Sequence, residues 1–131
     1  IIYDLGMFYN YAYLMIERNS YGIDILQRLH KEKQYANLAK TKRKDAITGK
    51  RKFSHGWYND NVSKTILVND CKESVETGLV IVNDMDTLEQ MKIYQESKGS
   101  FGNTRGDGNY DDLVDALALA VQALKQNRYY V

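Results

Sequence analysis

The stretch of sequence that decides the fold is an apolar segment, headed by acids, near the end of the chain. It reads Asn109-Tyr110-Asp111-Asp112-Leu113-Val114-Asp115-Ala116-Leu117-Ala118-Leu119-Ala120-Val121-Gln122-Ala123-Leu124. Apolar residues recur in it at helical spacing, which predicts a helix with one wide buried face: Leu113, Ala116, Leu117, Ala120, Val121 and Leu124. We therefore expect this helix to cover one side of the domain.

Three carboxylates open this predicted helix. Asp111 and Asp115 are four residues apart, and Asp112 and Asp115 are three apart, so all three lie on one side of the first turns. Acids at a helix start cap free amides and favour the helix dipole, and one or two acids need no other reason. Three like charges at these spacings repel each other, and a divalent cation would remove that repulsion. Capping and a metal site both remain open interpretations.

Composition narrows the class of protein. Apolar residues make up 44% of the chain and charged residues 27%, as in soluble globular proteins. The single cysteine, Cys71, excludes an internal disulfide and fits a reducing compartment, and we expect it to be a core residue rather than a nucleophile. The longest apolar runs are too short to span a membrane. Because the chain begins at Ile1 in the middle of a pattern, we expect it to be part of a longer protein.

A basic loop is predicted at about residues 39–54. Seven of the 18 basic residues lie there, opposed only by Asp45: Lys40, Lys42, Arg43, Lys44, Lys50, Arg51 and Lys52. The rest of the chain carries 11 basic and 16 acidic residues. A basic loop on an acidic body indicates an anionic polymer as partner, and the alternative is a solvated surface loop. Trp57 follows, and we expect it to anchor the base of the loop rather than to contact DNA.

Helices and short apolar strands alternate along the chain, which predicts an α/β layered domain. Strands are expected at Ala12–Ile16, Tyr35–Leu38 and Leu79–Val82, the first and last of them buried. Helices are expected at the start of the chain and at about 23–32 (inner residues Ile23, Leu26 and Leu29), 62–77 (buried side Val62, Ile66, Cys71 and Val75) and 88–94.

Local signals mark the ends of these elements. Asp60 or Asn61 is expected to cap the helix at 62–77 and Gly78 to stop it, while Asp86 with Glu89 forms an acidic variant of a capping box. A glycine-rich loop is expected at 95–109.

Glu17 closes the first apolar strand. Sites in open α/β sheets form at the carboxyl ends of strands, where the acidic helix could meet it. Glu17 with Asp residues from a facing helix would be a hard-oxygen ligand set that suits Mg²⁺ or Mn²⁺. Two such ions can activate water and hold the leaving oxygen in phosphodiester cleavage. The alternative for Glu17 is a solvated strand end.

Several short motifs, in their order and spacing, resemble the nuclease domain of tailed-phage terminase large subunits. These are Ile16-Glu17-Arg18-Asn19-Ser20-Tyr21-Gly22, then Tyr35 and Leu38, then Gly56-Trp57 with Lys64, then Tyr110-Asp111-Asp112-Leu113-Val114-Asp115-Ala116-Leu117-Ala118. The resemblance extends from about residue 1 to 126, nearly the whole chain, and implies that 1–131 is part of such a domain. It implies an RNase H-like fold, related to Holliday-junction resolvases, that lacks its first strands here.

The resemblance also implies a two-metal-ion endonuclease that uses Mg²⁺ or Mn²⁺ to cut concatemeric viral DNA during packaging. It assigns catalytic roles to Glu17 and Asp112, with Asp111 as the rival of Asp112, and the resolvase pattern adds Asp115 as a metal ligand. The first catalytic Asp of the family has no counterpart here, so we expect these residues alone not to cleave DNA. We expect Lys64 and the basic loop to contact double-stranded DNA.

The partners implied by the resemblance are an ATPase domain in the same parent chain, a small terminase subunit and the portal. No membrane is involved, and the compartment would be the cytoplasm of the bacterial host. Two alternatives stay open: a Holliday-junction resolvase or other RNase H-like nuclease, and an inactive DNA-binding prophage remnant.

Overall fold

The computed structural model describes residues 1–97, 100–103 and 110–126, and it shows a mixed α/β chain. The chain divides into two compact units, Ile1–Asn59 and Asp60–Val131. The first contains α1 (Ile2–Phe8), α2 (Ser20–Gln27) with a π-helical continuation (Arg28–Glu32), β1 (Lys40–Lys44) and β2 (Arg51–His55). The second contains α3 (Asn61–Glu76), α4 (Met85–Lys92), β3 (Tyr94–Ser97), β4 (Ser100–Asn103) and α5 (Asp112–Gln126).

The first unit is built on a small apolar core under α2. Its buried members are Leu26, Leu29, Tyr35 and Leu38. The predicted inner residues Leu26 and Leu29 are confirmed, whereas Ile23 is 37% exposed. The Tyr35 hydroxyl donates to the Ala12 carbonyl at 2.6 Å, which satisfies the one polar atom of this buried ring.

The predicted strand at 12–16 is an extended segment held by isolated parallel bridges. The Leu14 amide donates to the Asn37 carbonyl at 3.0 Å, and the Ala39 amide donates to the Leu14 carbonyl at 2.8 Å. Residues 12–16 are half-buried, whereas we predicted burial on both faces. The continuous strand pairs of the described chain are antiparallel hairpins, β1 with β2 and β3 with β4.

Helix α3 begins and ends where the sequence predicts. Asp60 accepts from the Ser63 amide at 2.8 Å, and the Ser63 hydroxyl accepts from the Asp60 amide at 2.8 Å, which closes a capping box. Gly78 follows the helix with φ of +73°, a conformation that favours glycine. The predicted buried side is wrong except at Cys71 and the half-buried Val75, because α3 buries Leu67, Cys71 and Ser74, while Val62 and Ile66 are exposed.

The apolar face of α5 is also rotated from its predicted position. Its buried residues are Val114, Ala118, Val121 and Gln122, of which only Val121 was predicted. Leu113 and Leu124 are 38% and 66% exposed. Consecutive helix residues are separated by about 100°, so a stripe displaced by one position turns a different face inward. Polar bonds to α3, described below, fix this rotation.

Two further predictions are wrong. Leu79–Val82 is not a buried strand, since Leu79 and Ile81 are 78% and 77% exposed and no strand is formed there. The cap of α4 is Asp84, which accepts from the Thr87 amide at 2.8 Å, and not Asp86.

The glycine-rich loop expected at 95–109 contains β4 and part of β3, and residues 98–99 and 104–109, including Asn109, lie outside the described residues.

Candidate functional site

Glu17 lies at the end of the extended segment in the first unit, where the chain pairs with Trp57. The Arg18 amide donates to the Trp57 carbonyl at 2.8 Å, and the Trp57 amide donates to the Ile16 carbonyl at 2.8 Å. The Glu17 carboxylate accepts from the Asn59 amide nitrogen at 3.0 Å. Backbone pairing on both sides of Glu17 therefore fixes its position, and Asn59 orients its side chain.

The turn after Glu17 explains why Asn19 and Gly22 follow it. The Asn19 side chain accepts from the Gly22 amide at 2.7 Å and caps α2. A Cβ atom on residue 22 would lie 1.8 Å from the Glu17 carbonyl oxygen, so only glycine fits without a backbone shift. The Glu-Arg-Asn…Gly motif thus forms a tight turn that connects the end of the extended segment to α2.

Arg18 connects this turn to the base of the β1–β2 hairpin. Its Nη1 donates to the His55 carbonyl, at the end of β2, at 2.8 Å. Burial lowers the pKa of His55, and the nearby His30, Lys40 and Arg18 lower it further, so the imidazole is held neutral. The result is that Glu17 lies beside the root of the hairpin that carries the basic residues.

The predicted basic loop is largely this hairpin. Strands β1 and β2 pair antiparallel from Lys40 opposite His55 to Lys44 opposite Arg51. Asp45 builds the turn by accepting from the Ile47 and Thr48 amides, each at 2.8 Å, and these bonds lower its pKa. Gly49 completes it with φ of +68°. Trp57, just beyond β2, is buried, as predicted for an anchor at the base of the loop.

The acidic cluster opens α5 in the second unit. Asp112 is exposed, and the Asp111 carbonyl accepts from the Asp115 amide at 3.0 Å in the first helical turn. The Gln90 side chain from α4 accepts from the Leu113 amide at 2.9 Å, so one free amide of this helix start is capped by a neighbouring helix.

Asp115 is engaged by neighbouring side chains. Its Oδ1 accepts from Lys64 Nζ at 2.6 Å and from the Tyr94 hydroxyl at 3.3 Å. Burial raises the pKa of Tyr94, and the Asp115 charge and hydrogen bond, with a smaller effect of Asp111, raise it further. Lys64, which we predicted to contact DNA, thus forms a half-buried ion pair that joins α3 to α5.

Breaking this ion pair is expected to destabilise the second unit. Asp115→Asn removes the charge that faces Lys64, and we expect the free energy of unfolding to fall by about 1–2 kcal/mol. As a matched control, Asp24→Asn removes a carboxylate from an ion pair with Arg28 whose side chains are 60% and 65% exposed, and we expect almost no change there. Urea denaturation measures both variants. Equal losses would show that the Lys64–Asp115 contact has no special role.

A second polar connection between α3 and α5 was missed by sequence reasoning. Asp70 accepts from Gln122 Nε2 at 2.6 Å and pairs with Lys125 Nζ at 2.9 Å. Burial raises the pKa of Asp70, but the bonds from Lys125 and Gln122 outweigh it, and the net pKa is lowered. The sequence pattern that could have indicated this contact is the polar residue Gln122 inside an otherwise apolar helix.

Helices α3, α4 and α5 surround a cavity of about 500 Å³. Much of its lining is apolar, and includes Val75, Met91, Val114 and Ala118. Cys71 also lines it, and burial raises the pKa of the Cys71 thiol, so the thiol stays protonated near neutral pH. This supports the prediction that Cys71 is a core residue.

The predicted metal ligands are distributed over both units. Glu17 belongs to Ile1–Asn59, and Asp111, Asp112 and Asp115 belong to Asp60–Val131. Carboxylate oxygens are suitable ligands for Mg²⁺ or Mn²⁺, but residues 1–97, 100–103 and 110–126 contain no group of three or more His, Cys, Asp or Glu side chains that could hold a metal ion.

Comparison with known proteins yields no match to a family model and none to a curated protein. Among the described residues, no helix has the length and apolar character needed to cross a membrane.

Proposed function

We propose that this chain is part of a metal-dependent DNA endonuclease with an RNase H-like fold, of the kind found in tailed-phage terminase large subunits. Its role would be to cut concatemeric viral DNA during packaging in the host bacterial cytoplasm, with an ATPase domain, a small terminase subunit and the portal as partners. The proposal rests on the resemblance of the sequence motifs and on one feature of the first unit.

That feature is the position of Glu17 at the root of the basic hairpin. Arg18, the next residue, donates directly to the carbonyl of His55, where β2 ends. The hairpin cations would hold the phosphate backbone of DNA, and a backbone held there would run close to the Glu17 carboxylate. A cationic surface beside a fixed carboxylate would place bound DNA next to a candidate ligand for Mg²⁺ or Mn²⁺.

In this proposal Glu17 and Asp112, with Asp111 as the alternative to Asp112, are the candidate ligands for Mg²⁺ or Mn²⁺. When bound, these ions activate water and offset the negative charge that develops on the phosphate. Asp115 would act indirectly, because Lys64 already occupies its Oδ1. Asn59 keeps the Glu17 carboxylate oriented through its hydrogen bond.

Cleavage of supercoiled plasmid by the product of the full open reading frame tests this function. We expect nicking and linearisation with Mn²⁺ or Mg²⁺, and none with EDTA. Product sequencing at a four-way junction then separates the alternatives, because a Holliday-junction resolvase cuts symmetrically at the branch point, whereas a packaging nuclease also cuts linear duplex. Absence of metal-dependent cleavage on either substrate would refute an enzymatic role.

The non-enzymatic alternative is a DNA-binding prophage remnant. The observation that favours it is the cationic hairpin itself, which can bind phosphates without any metal ion. It predicts DNA binding through the hairpin without cleavage. The sequence of the full open reading frame bears on this choice, since a further acid-bearing strand would supply the catalytic Asp that the resemblance requires.

Neutralising the hairpin is expected to weaken DNA binding for all sequences alike. Replacing Lys42, Arg43, Lys50 and Arg51 with Ser should flatten the dependence of log affinity on log salt by up to about 0.9 per lost phosphate contact. A control replaces Lys31, Lys33, Lys72 and Lys92 with Ser, which removes the same charge from other exposed positions. Fluorescence anisotropy at several salt concentrations measures the slope. If the two quadruple variants behave identically, the hairpin is only a solubilising surface.

A further inference from the structure

The two faces of the β1–β2 hairpin carry different side chains. Opposed residues of an antiparallel pair lie on the same face, and the faces alternate along each strand. The register therefore places Thr41, Arg43, Lys52 and Ser54 on one face, and Lys40, Lys42, Lys44, Arg51, Phe53 and His55 on the other. We call these the inner and outer faces.

The inner face is turned toward the rest of the first unit. The Arg43 guanidinium lies 3.8 Å from the centroid of the Tyr58 ring, and the Thr41 hydroxyl donates to the Gly56 carbonyl at 2.5 Å. The outer face is consequently presented to solvent along most of its length, with the His55 ring at its root packed against His30.

Phe53 is the unusual residue of the outer face. It is 62% exposed and lies among four cations, Lys40, Lys42, Lys44 and Arg51. Lys42 Nζ lies 5.6 Å from the centroid of its ring, a cation–π arrangement. The ion pairs of the described chain involve other residues, so carboxylates of the described residues do not neutralise these cations.

The distance between neighbouring cations on this face is similar to the distance between neighbouring charges on an extended polyanion. Alternate residues of β1 place Lys40, Lys42 and Lys44 about 7 Å apart in a line, a separation similar to that of neighbouring phosphates along an extended nucleic-acid strand. Phe53 lies across the ladder from the middle lysine. An aromatic ring beside a line of cations is how proteins bind single strands, with phosphates on the cations and a base stacked on the ring.

We propose that the outer face of the hairpin binds single-stranded nucleic acid, with one base stacked on Phe53 and the backbone along Lys40, Lys42 and Lys44. A duplex hides the faces of its bases, so it offers Phe53 no stacking partner. The inference deepens the proposed function and rests on it in one respect, namely that the nucleic acid is DNA. In that setting the hairpin would capture an unpaired DNA segment, such as a frayed or freshly cut end.

Binding without metal tests this inference separately from cleavage. Fluorescence anisotropy would compare the wild-type chain with Phe53→Leu and Phe53→Trp on labelled oligothymidylate, on oligouridylate and on a duplex. We expect Phe53→Leu to weaken binding to the single strands about tenfold, with little change on the duplex, and Phe53→Trp to retain wild-type affinity. The two oligonucleotides show whether the face distinguishes DNA from RNA.

The matched control is Phe8→Leu, which changes another exposed phenylalanine of the first unit, 79% exposed on α1, and should have no effect. Unchanged single-strand binding in Phe53→Leu, or an equal loss on single strand and duplex, would overturn the stacking proposal while leaving phosphate binding by the hairpin in place. Failure of the wild-type chain to bind any nucleic acid would refute both. Metal-dependent cleavage by a wild-type chain whose single-strand binding is unchanged in Phe53→Leu would support the proposed function and contradict this inference.

Discussion

Replacing Glu17 with Gln, or Asp112 with Asn, is expected to reduce Mn²⁺-dependent cleavage by the full-length protein at least about a hundredfold. An amide carries no charge and is a poor ligand for a hard divalent cation. Both changes should leave the fold intact, because the amide oxygen of the new glutamine can still accept from Asn59, and Asp112 is exposed. Rates of plasmid nicking, measured against Mn²⁺ concentration, separate loss of ion binding from loss of reaction.

Glu32→Gln is the control for this experiment. Glu32 is exposed in the same unit as Glu17 and is not among the proposed ligands, so this variant should cleave at the wild-type rate. Wild-type cleavage by Glu17→Gln would remove Glu17 from the site. If Asp112→Asn retains activity while Asp111→Asn loses it, the catalytic acid at the start of α5 is Asp111 and not Asp112.

Replacing Gly22 with Ala is expected to destabilise the first unit by about 3 kcal/mol or more. The new Cβ would lie 1.8 Å from the Glu17 carbonyl oxygen, which is a backbone atom and cannot rotate away. Relief requires either Glu17 or the start of α2 to shift, and a shift of Glu17 would move its carboxylate as well. Urea denaturation followed by circular dichroism measures the loss.

Gly78→Ala provides the contrast in the second unit. Gly78 has φ of +73°, but among the described residues, apart from Gly78 and its chain neighbours, no heavy atom lies within 4 Å of the place that a Cβ would occupy. The cost is therefore only that of a left-handed alanine, about 1 kcal/mol. A Gly22→Ala variant no less stable than Gly78→Ala would show that the turn after Glu17 adapts easily.

Sequence patterns predicted the ends of α3 better than its buried face or that of α5, although they placed the cap of α4 two residues too late. The cap at Asp60 and the stop at Gly78 depend on backbone groups within a few residues, so local residue types suffice to identify them. The buried face of α5 depends on α3 and α4. Leu113 is a stronger apolar signal than Val114, yet Val114 is the buried one, because the Lys64–Asp115 and Asp70–Gln122 contacts set the rotation of the helix.

The β1–β2 hairpin was predicted as a loop because its strand residues are mostly lysine and arginine. Lysine is depleted in strands, and the run carries none of the apolar alternation that marks a half-buried strand. The signal that was available lay in the turn, where Asp45 and Gly49 are suited to accept amides and to adopt positive φ. Leu79–Val82 shows the opposite error, since four apolar residues without a partner do not make a strand.

The candidate site was predicted as a set of residues, but not in its surroundings. Glu17 was identified as a candidate from its position after an apolar run, and in the structure it lies at the end of an extended segment that pairs with Trp57. Its partner Asn59 is 42 residues away, and no local pattern could reveal that contact. The same holds for Lys64 and Asp115, which are 51 residues apart in sequence.

The burial of Trp57 gives the molecule an optical reporter. Trp57 is the single tryptophan of the chain, it is 7% exposed, and its backbone is bonded to the residues on both sides of Glu17. Its fluorescence therefore comes from one place, the junction between the proposed catalytic glutamate and the basic hairpin. A shift of its emission on adding Mn²⁺ or an oligonucleotide would report changes at that junction without any added label. The second unit contains no tryptophan and therefore contributes nothing to the tryptophan emission.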